Sequence, residues 1–107
     1  MISETEFNSR IDDTLLQVEE TLDGAATDMD YDNSGGVLSV TCENGSKVIF
    51  TRQGPVRQLW VATPYGGYHF DLQGERGWIR DSDGQTLADF LSQTFSQCAG
   101  ETFRFDL

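Results

Sequence analysis

The sequence predicts an α+β protein: a two-layer sandwich in which two terminal helices cover one face of an antiparallel sheet of five to six strands. Three observations predict it. Apolar residues recur at helical spacing near the N-terminus. From about residue 28 to residue 80 the period falls to two, in short runs divided by turn signals. Helical spacing then returns between Leu87 and Cys98. Hairpin-length connections imply antiparallel pairing, and two helices on one face of such a sheet give two layers.

The first helix opens on a capping box, Ser3-Glu4-Thr5-Glu6, in which Ser3 can accept from the Glu6 amide. Phe7, Ile11, Leu15, Val18 and Leu22 follow at intervals of four, four, three and four, the apolar stripe of an amphipathic helix that Gly24 ends. Asp12, Glu19 and Asp23 form one stripe beside that face, and Glu6, Asp13 and Glu20 a second on the solvent side. Asp28, Asp30 and Asp32 then alternate with Met29, Tyr31 and Asn33, as in a strand with one wet face. After a turn at Ser34-Gly35-Gly36 come VLSVTC and SKVIFTR, divided by Glu43-Asn44-Gly45, a strong hairpin signal. Gln53-Gly54-Pro55 breaks the chain before RQLWVAT. Pro64-Tyr65-Gly66-Gly67 turns into YHFDL, and a short WIR strand precedes the turn Asp81-Ser82-Asp83-Gly84. Thr86, with Asp89 three residues later, opens the second helix, whose Leu87, Phe90, Leu91, Phe95 and Cys98 share a stripe. The tail FRFDL is expected to lie extended over the core. With 107 residues and twelve aromatics the chain fits one domain, residues 1–107, able to bury a core without staples.

The net charge of −11 is unevenly spread. Residues 1–32 hold ten carboxylates and one base, Arg10, while residues 33–107 hold eight acids and six bases. Such a surface disfavours nucleic acid and favours a cation or a basic protein patch. Exposed carboxylate oxygens suit hard ions such as iron, manganese, magnesium or calcium. Glu19 with Asp23, and Glu20 with Asp23, are spaced to converge on one ion, with no rigid cage, so binding is expected to be weak and multiple. The run DMDYDNSG fails as an EF-hand loop: Asp28, Asp30 and Asp32 match positions one, three and five, but Asn33 stands where glycine is required and Ser39 where the bidentate glutamate belongs. DSDG fails likewise. His69, the only histidine, reads as a wet-face residue and not a zinc ligand. Cys42 and Cys98, far apart and outside any CxxC, read as reduced, packed thiols. No nucleophile–base constellation and no phosphate loop are present. No apolar run approaches a membrane span, and MISETEFNSR has neither a secretory nor a transit character, so a cytoplasmic protein is expected.

In Gln58-Leu59-Trp60-Val61-Ala62, Leu59 and Val61 share one face and Trp60 the other. With the helices over Leu59 and Val61, Trp60 stands in solvent as a candidate partner anchor.

These residues carry a resemblance. The run PVRQLWVATPYGGYHFD, residues 55–71, resembles the central signature of the frataxin family, bacterial CyaY type. NSGGVLSVTCENGSKVIFTRQ resembles the strands before it, and the VEETLD helix the family's acidic first helix. The resemblance implies an α-β sandwich, and ferrous or ferric iron held weakly by carboxylates of the first helix and first strand, with other hard cations able to substitute. It further implies a role in iron–sulfur cluster assembly in the bacterial cytoplasm. There the protein would dock on a cysteine desulfurase and its scaffold protein, as iron donor or regulator rather than enzyme. Glu19, Glu20, Asp23, Asp28, Asp30 and Asp32 match the acidic ridge and Trp60 the exposed sheet tryptophan, with Glu19, Glu20 and Asp23 also facing the partner. A monomer is expected unless metal drives oligomerisation. One departure is that Gly24-Ala25-Ala26-Thr27 stands where a further acid-rich loop is common. Two other readings remain open: a metal-independent acidic inhibitor or nucleic-acid mimic that fills a basic groove, and a ferroxidase using the same carboxylates.

Overall fold

The computed structural model describes residues 2–27, 29–74, 77–105 and 107. Helix α1 spans Glu4–Asp23 and helix α2 Leu87–Ala99. Between them run β1 (Asp30–Ser34), β2 (Val37–Thr41), β3 (Lys47–Gln53), β4 (Gln58–Thr63), β5 (Gly66–Leu72) and β6 (Trp78–Arg80). All neighbours pair antiparallel, in the spatial order β1-β2-β3-β4-β5-β6, so the sheet is a six-stranded meander with both helices on one face. A short 3-10 turn, Gly54–Val56, occupies the break before β4. Gly66 and Gly67, expected in a turn, instead begin β5, because they pair with Thr63 and Ala62 of β4. No helix among the described residues is long and apolar enough to cross a membrane.

Both helices start as their capping signals require. The Glu6 amide donates to Ser3 Oγ at 3.1 Å and the Asp89 amide to Thr86 Oγ1 at 3.2 Å. Gly24 and Gly100 follow the two C-termini. The whole predicted stripe of α1, Phe7, Ile11, Leu15, Val18 and Leu22, is buried. Alternation sets the other half of the core: Leu38 and Val40, Val48 and Phe50, Leu59 and Val61, and Phe70 all point at the helices. Phe103 and Phe105 of the tail fold back onto Phe95 of α2, closing the end of the sandwich. Asn44-Gly45 turns β2 into β3, with Gly45 at φ 87°, where a side chain would be strained. Gly36 has a steric reason of its own, since a Cβ there would come within 3.1 Å of Arg52 Nε.

Polar contacts from Arg52 and Trp78 help to tie α1 to the sheet. Arg52 of β3 reaches Asn8 at 3.1 Å and Asp12 at 2.6 Å, so one member of the outward acidic stripe already has a counter-ion. Deeper in, the Trp78 indole N–H donates to Thr14 Oγ1 at 2.9 Å, and Phe7 packs edge-on against the same indole. Thr14 thus satisfies the one donor of an otherwise apolar residue. Thr14→Val keeps the shape and orphans that donor, so it should lower the unfolding free energy by about 1–3 kcal/mol, read as an earlier urea midpoint at unchanged slope.

Candidate metal and partner surface

The acidic residues meet at one corner of the fold, where the C-terminal end of α1 lies beside the edge strand β1. Glu19 is half-buried there, while Glu20 and Asp23 are exposed. The last turn of α1 contains no basic residue. The partial negative charge of a helix C-terminus therefore adds to these carboxylates instead of being offset. Tyr31 links the two elements: its hydroxyl donates to Asp23 Oδ1 at 2.8 Å, and its ring packs at the border of the core. That hydrogen bond first, then burial and the charges of Asp23 and Glu19, raise the Tyr31 phenol above its ordinary value.

Because Tyr31 points to the helix side, strand alternation sends Asp30 and Asp32 to the opposite face of β1. They border a shallow cleft of about 320 Å³ on the outer face of the sheet, with Ser39, Thr41 and Lys47. The six ridge carboxylates thus do not form one row. Glu19, Glu20 and Asp23 lie on the helix side of the edge, and Asp30 and Asp32 on the outer side. Asp28 lies outside the described residues. Among the described residues, no group of three or more His, Cys, Asp or Glu side chains is placed to hold a metal ion together. The donor set is hard, exposed and paired at most, which fits a labile hydrated cation better than a caged one.

The loop joining the two acidic elements is fixed from the far end of the chain. Glu101, just past α2, accepts from the Ala26 amide at 3.1 Å, the Thr27 amide at 2.7 Å and the Thr27 hydroxyl at 2.6 Å. These bonds, the Thr27 hydroxyl first and then the Thr27 and Ala26 amides, hold the Glu101 carboxyl below the usual carboxylate range. Sequence reasoning missed Glu101, since nothing local marks a partner 74 residues away.

The outer face carries a second feature. Trp60 is exposed, as its alternation with Leu59 and Val61 predicts, and is held rigid. Its indole stacks on His69 of β5 with ring centroids 4.4 Å apart and planes 20° from parallel. Its N–H donates to Gln58 Oε1 at 2.9 Å, and Gln58 in turn donates to Asp71 at 3.1 Å. His69 Nδ1 lies 3.6 Å from an Asp81 carboxylate oxygen, an ion pair only when the ring is protonated. Strand register aligns Ser34, Val37, Thr51, Trp60 and His69 across the face, with Asp32, Ser39, Ile49 and Ala62 in the next row. Asp32 and Trp60 therefore share one surface, three strand spacings (roughly 14 Å) apart across the sheet and one row apart along it. Glu19, Glu20 and Asp23 lie around the edge from it.

The Glu101 clip makes stability pH-dependent with a definite sign. A depressed folded-state carboxyl stabilises fully above its unfolded value and loses that contribution as pH falls through the folded value. Glu101→Gln should therefore lower the melting temperature most at neutral pH. The gap to the parent should shrink below about pH 4, the ordinary range of an unfolded glutamate. A gap independent of pH would mean that the charge on Glu101 contributes nothing.

Comparison with known proteins agrees with this geometry. A family model for the frataxin-like domain matches residues 1–101. The frataxin of Psychromonas ingrahamii, solved as a model for stability modulation within the CyaY protein family, is 33% identical. The alignment covers 99% of this chain and 100% of that one, with a TM-score of 0.90. Trimeric frataxin from the yeast Saccharomyces cerevisiae, solved in a ferrous complex, is 23% identical over 86% of this chain and 87% of that one, with a TM-score of 0.71. At that identity the yeast protein shares the fold.

Proposed function

This chain belongs to the frataxin family, and from that premise we propose that it is an iron-binding protein of iron–sulfur cluster assembly. In this reading it acts on a cysteine desulfurase and its scaffold protein as iron donor or regulator, not as an enzyme. The observation that carries the reading is the surface at the α1–β1 corner. Hard oxygen donors are concentrated there beside an unopposed helix C-terminus, on the same molecule as a rigid exposed tryptophan. The yeast relative solved in a ferrous complex supports iron as the ion.

The residues divide the work by range. Glu19, Glu20, Asp23, Asp30 and Asp32, with Asp28, attract a cation or a basic partner over distances of about a Debye length, ~10 Å at 0.1 M salt. Pairs of carboxylates at the corner replace some of the water around an iron ion and leave the rest, so the ion exchanges quickly. Iron held this way is cargo that a partner can withdraw. Trp60 acts only on contact. Its ring, already ordered by His69 and Gln58, has little freedom left to lose on docking, which favours affinity. A partner seated on the outer face would meet Trp60 together with Asp30 and Asp32. Glu19, Glu20 and Asp23 would then lie at its rim, where charge sets the rate of encounter.

Titration with paramagnetic iron, cobalt or manganese should broaden the amide signals of Glu19, Glu20, Asp23 and residues 28–32 first. Signals of His69 and α2 should persist to higher ion ratios. Broadening that begins at His69 would place the ligands elsewhere, and no localised broadening would favour the metal-independent acidic inhibitor. Ferrous iron oxidised faster than in buffer alone would instead favour a ferroxidase.

Trp60→Ala should weaken binding to the cysteine desulfurase by about 2 kcal/mol or more, chiefly through faster dissociation. It should leave the ion titration unchanged, and its cost in stability should stay well below the 3–5 kcal/mol of a buried tryptophan. Glu19→Lys with Glu20→Lys should instead slow association and flatten its salt dependence. Undiminished desulfurase binding by Trp60→Ala would remove the outer face from the interface.

A further inference from the structure

Four side chains of β4 and β5 form a square on the outer face of the sheet. Strand register sets Gln58 opposite Asp71 and Trp60 opposite His69. Three sides of the square are joined. The Trp60 ring lies on the His69 ring, the Trp60 N–H donates to Gln58 Oε1 at 2.9 Å, and Gln58 Nε2 donates to Asp71 Oδ1 at 3.1 Å. Among the described residues no cation pairs with Asp71. Gln58 is the side chain that engages its carboxylate.

The chemistry of the three bonded groups admits one direction. An indole N–H only donates and a carboxylate only accepts, while a side-chain amide does both. Asp71 therefore takes the amino group of Gln58, and this turns Gln58 Oε1 to the indole. With the amide reversed, its amino group would face the indole N–H and its oxygen would face the carboxylate, so both contacts would repel.

We propose that Asp71 is the positioning residue of the tryptophan anchor. Acting through Gln58, it turns the Trp60 N–H toward the protein and holds the ring against His69. The anchor thereby offers a partner its ring and withholds its donor. It fits an apolar or cationic side chain, which needs only ring contact. It gives nothing to a carbonyl or carboxylate that seeks an N–H. Fixing the ring before docking also spares the complex the cost of ordering it, a factor of about 2 to 12 in affinity. That gain rests on the proposed reading of Trp60 as a partner anchor, whereas the orientation of the indole does not.

Two substitutions separate position from charge. Asp71→Asn keeps an acceptor for Gln58 and loses the charge, and Asp71→Leu loses both. The first readout is the pair of indole N–H signals in the NMR spectrum. Trp78, bonded to Thr14 on the helix side of the sheet, is the internal reference, and its unmoved signal shows an intact core. In Asp71→Leu the Trp60 signal should move, and its exchange with solvent should quicken by about 2- to 12-fold, the worth of one net hydrogen bond. Asp71→Asn should keep the parent signal. The second readout is binding to the cysteine desulfurase. Asp71→Leu should weaken it by about 2- to 12-fold, and Asp71→Asn should not. In a Trp60→Ala background, Asp71→Leu should change nothing further.

An unmoved Trp60 signal in Asp71→Leu would overturn the proposal. Equal losses of binding in Asp71→Asn and Asp71→Leu would do the same, as would a loss that persists without Trp60, because Asp71 would then act by its charge on the partner. If Trp60→Ala itself binds undiminished, the anchor reading fails, and the indole signals alone decide whether Asp71 orients the ring.

Discussion

Everything at the acidic corner depends on the burial of one stripe of α1. Phe7, Ile11, Leu15, Val18 and Leu22 are all essentially inaccessible against the sheet. Each large apolar side chain so buried is worth about 1.5–3 kcal/mol relative to exposure. Like charges four apart on a helix cost only a few tenths of a kcal/mol each. The helix can therefore carry a carboxylate-rich outer face, with no base in its last turn, and still form. The same burial fixes the rotation of α1. Once Leu22 and Val18 face the sheet, Glu19 and Asp23 must flank β1 and Glu20 must face solvent.

The second constraint is the short path from helix to strand. Gly24 to Thr27 must turn the chain from α1 into the edge of the sheet, and Glu101 satisfies two of that loop's amides and one hydroxyl. A further carboxylate on an acidic surface adds like-charge repulsion. Glu101 holds the loop nonetheless, because it accepts three hydrogen bonds from donors that would otherwise need water. Tyr31 performs a similar service for Asp23 from the strand side. The corner is thus a set of free carboxylates mounted on a frame made partly of satisfied ones.

The fold was legible in the sequence because its signals are local. Ser3 with Glu6 and Thr86 with Asp89 mark helix starts, Asn44-Gly45 marks a hairpin, and the alternation around Trp60 settles which face is wet. The frataxin resemblance was carried by residues 55–71 together with the strands before them and the acidic first helix, and the match over residues 1–101 agrees with it. What was not legible depends on long-range register. Asp30 and Asp32 read as one ridge with Glu19 and Asp23, but period two places them on the other face of β1 once Tyr31 turns inward to Asp23. Asp12 read as a free outward acid, whereas Arg52, 40 residues on, reaches it. The stacking of Trp60 on His69 likewise follows from which strands lie side by side, and no local pattern encodes that.

An edge strand is where a sheet risks pairing with another chain, and charged side chains are a common defence. β1 carries Asp30 and Asp32 on one face of its exposed edge and is flanked on the other by Glu19 and Asp23, so an approaching strand meets carboxylates from either side. On the proposed reading the same placement serves function. Carboxylates that guard an edge must stay unpaired and accessible, which is also what a labile ion site and a long-range electrostatic patch require. Lys47, the only lysine in the chain, lies beside Asp30 and Asp32 in the outer cleft. The outer set is therefore partly compensated, and the helix-side set is not. The less compensated set is the better place for a cation. The outer set, which shares its face with Trp60, is the better place for a partner that brings its own positive charge.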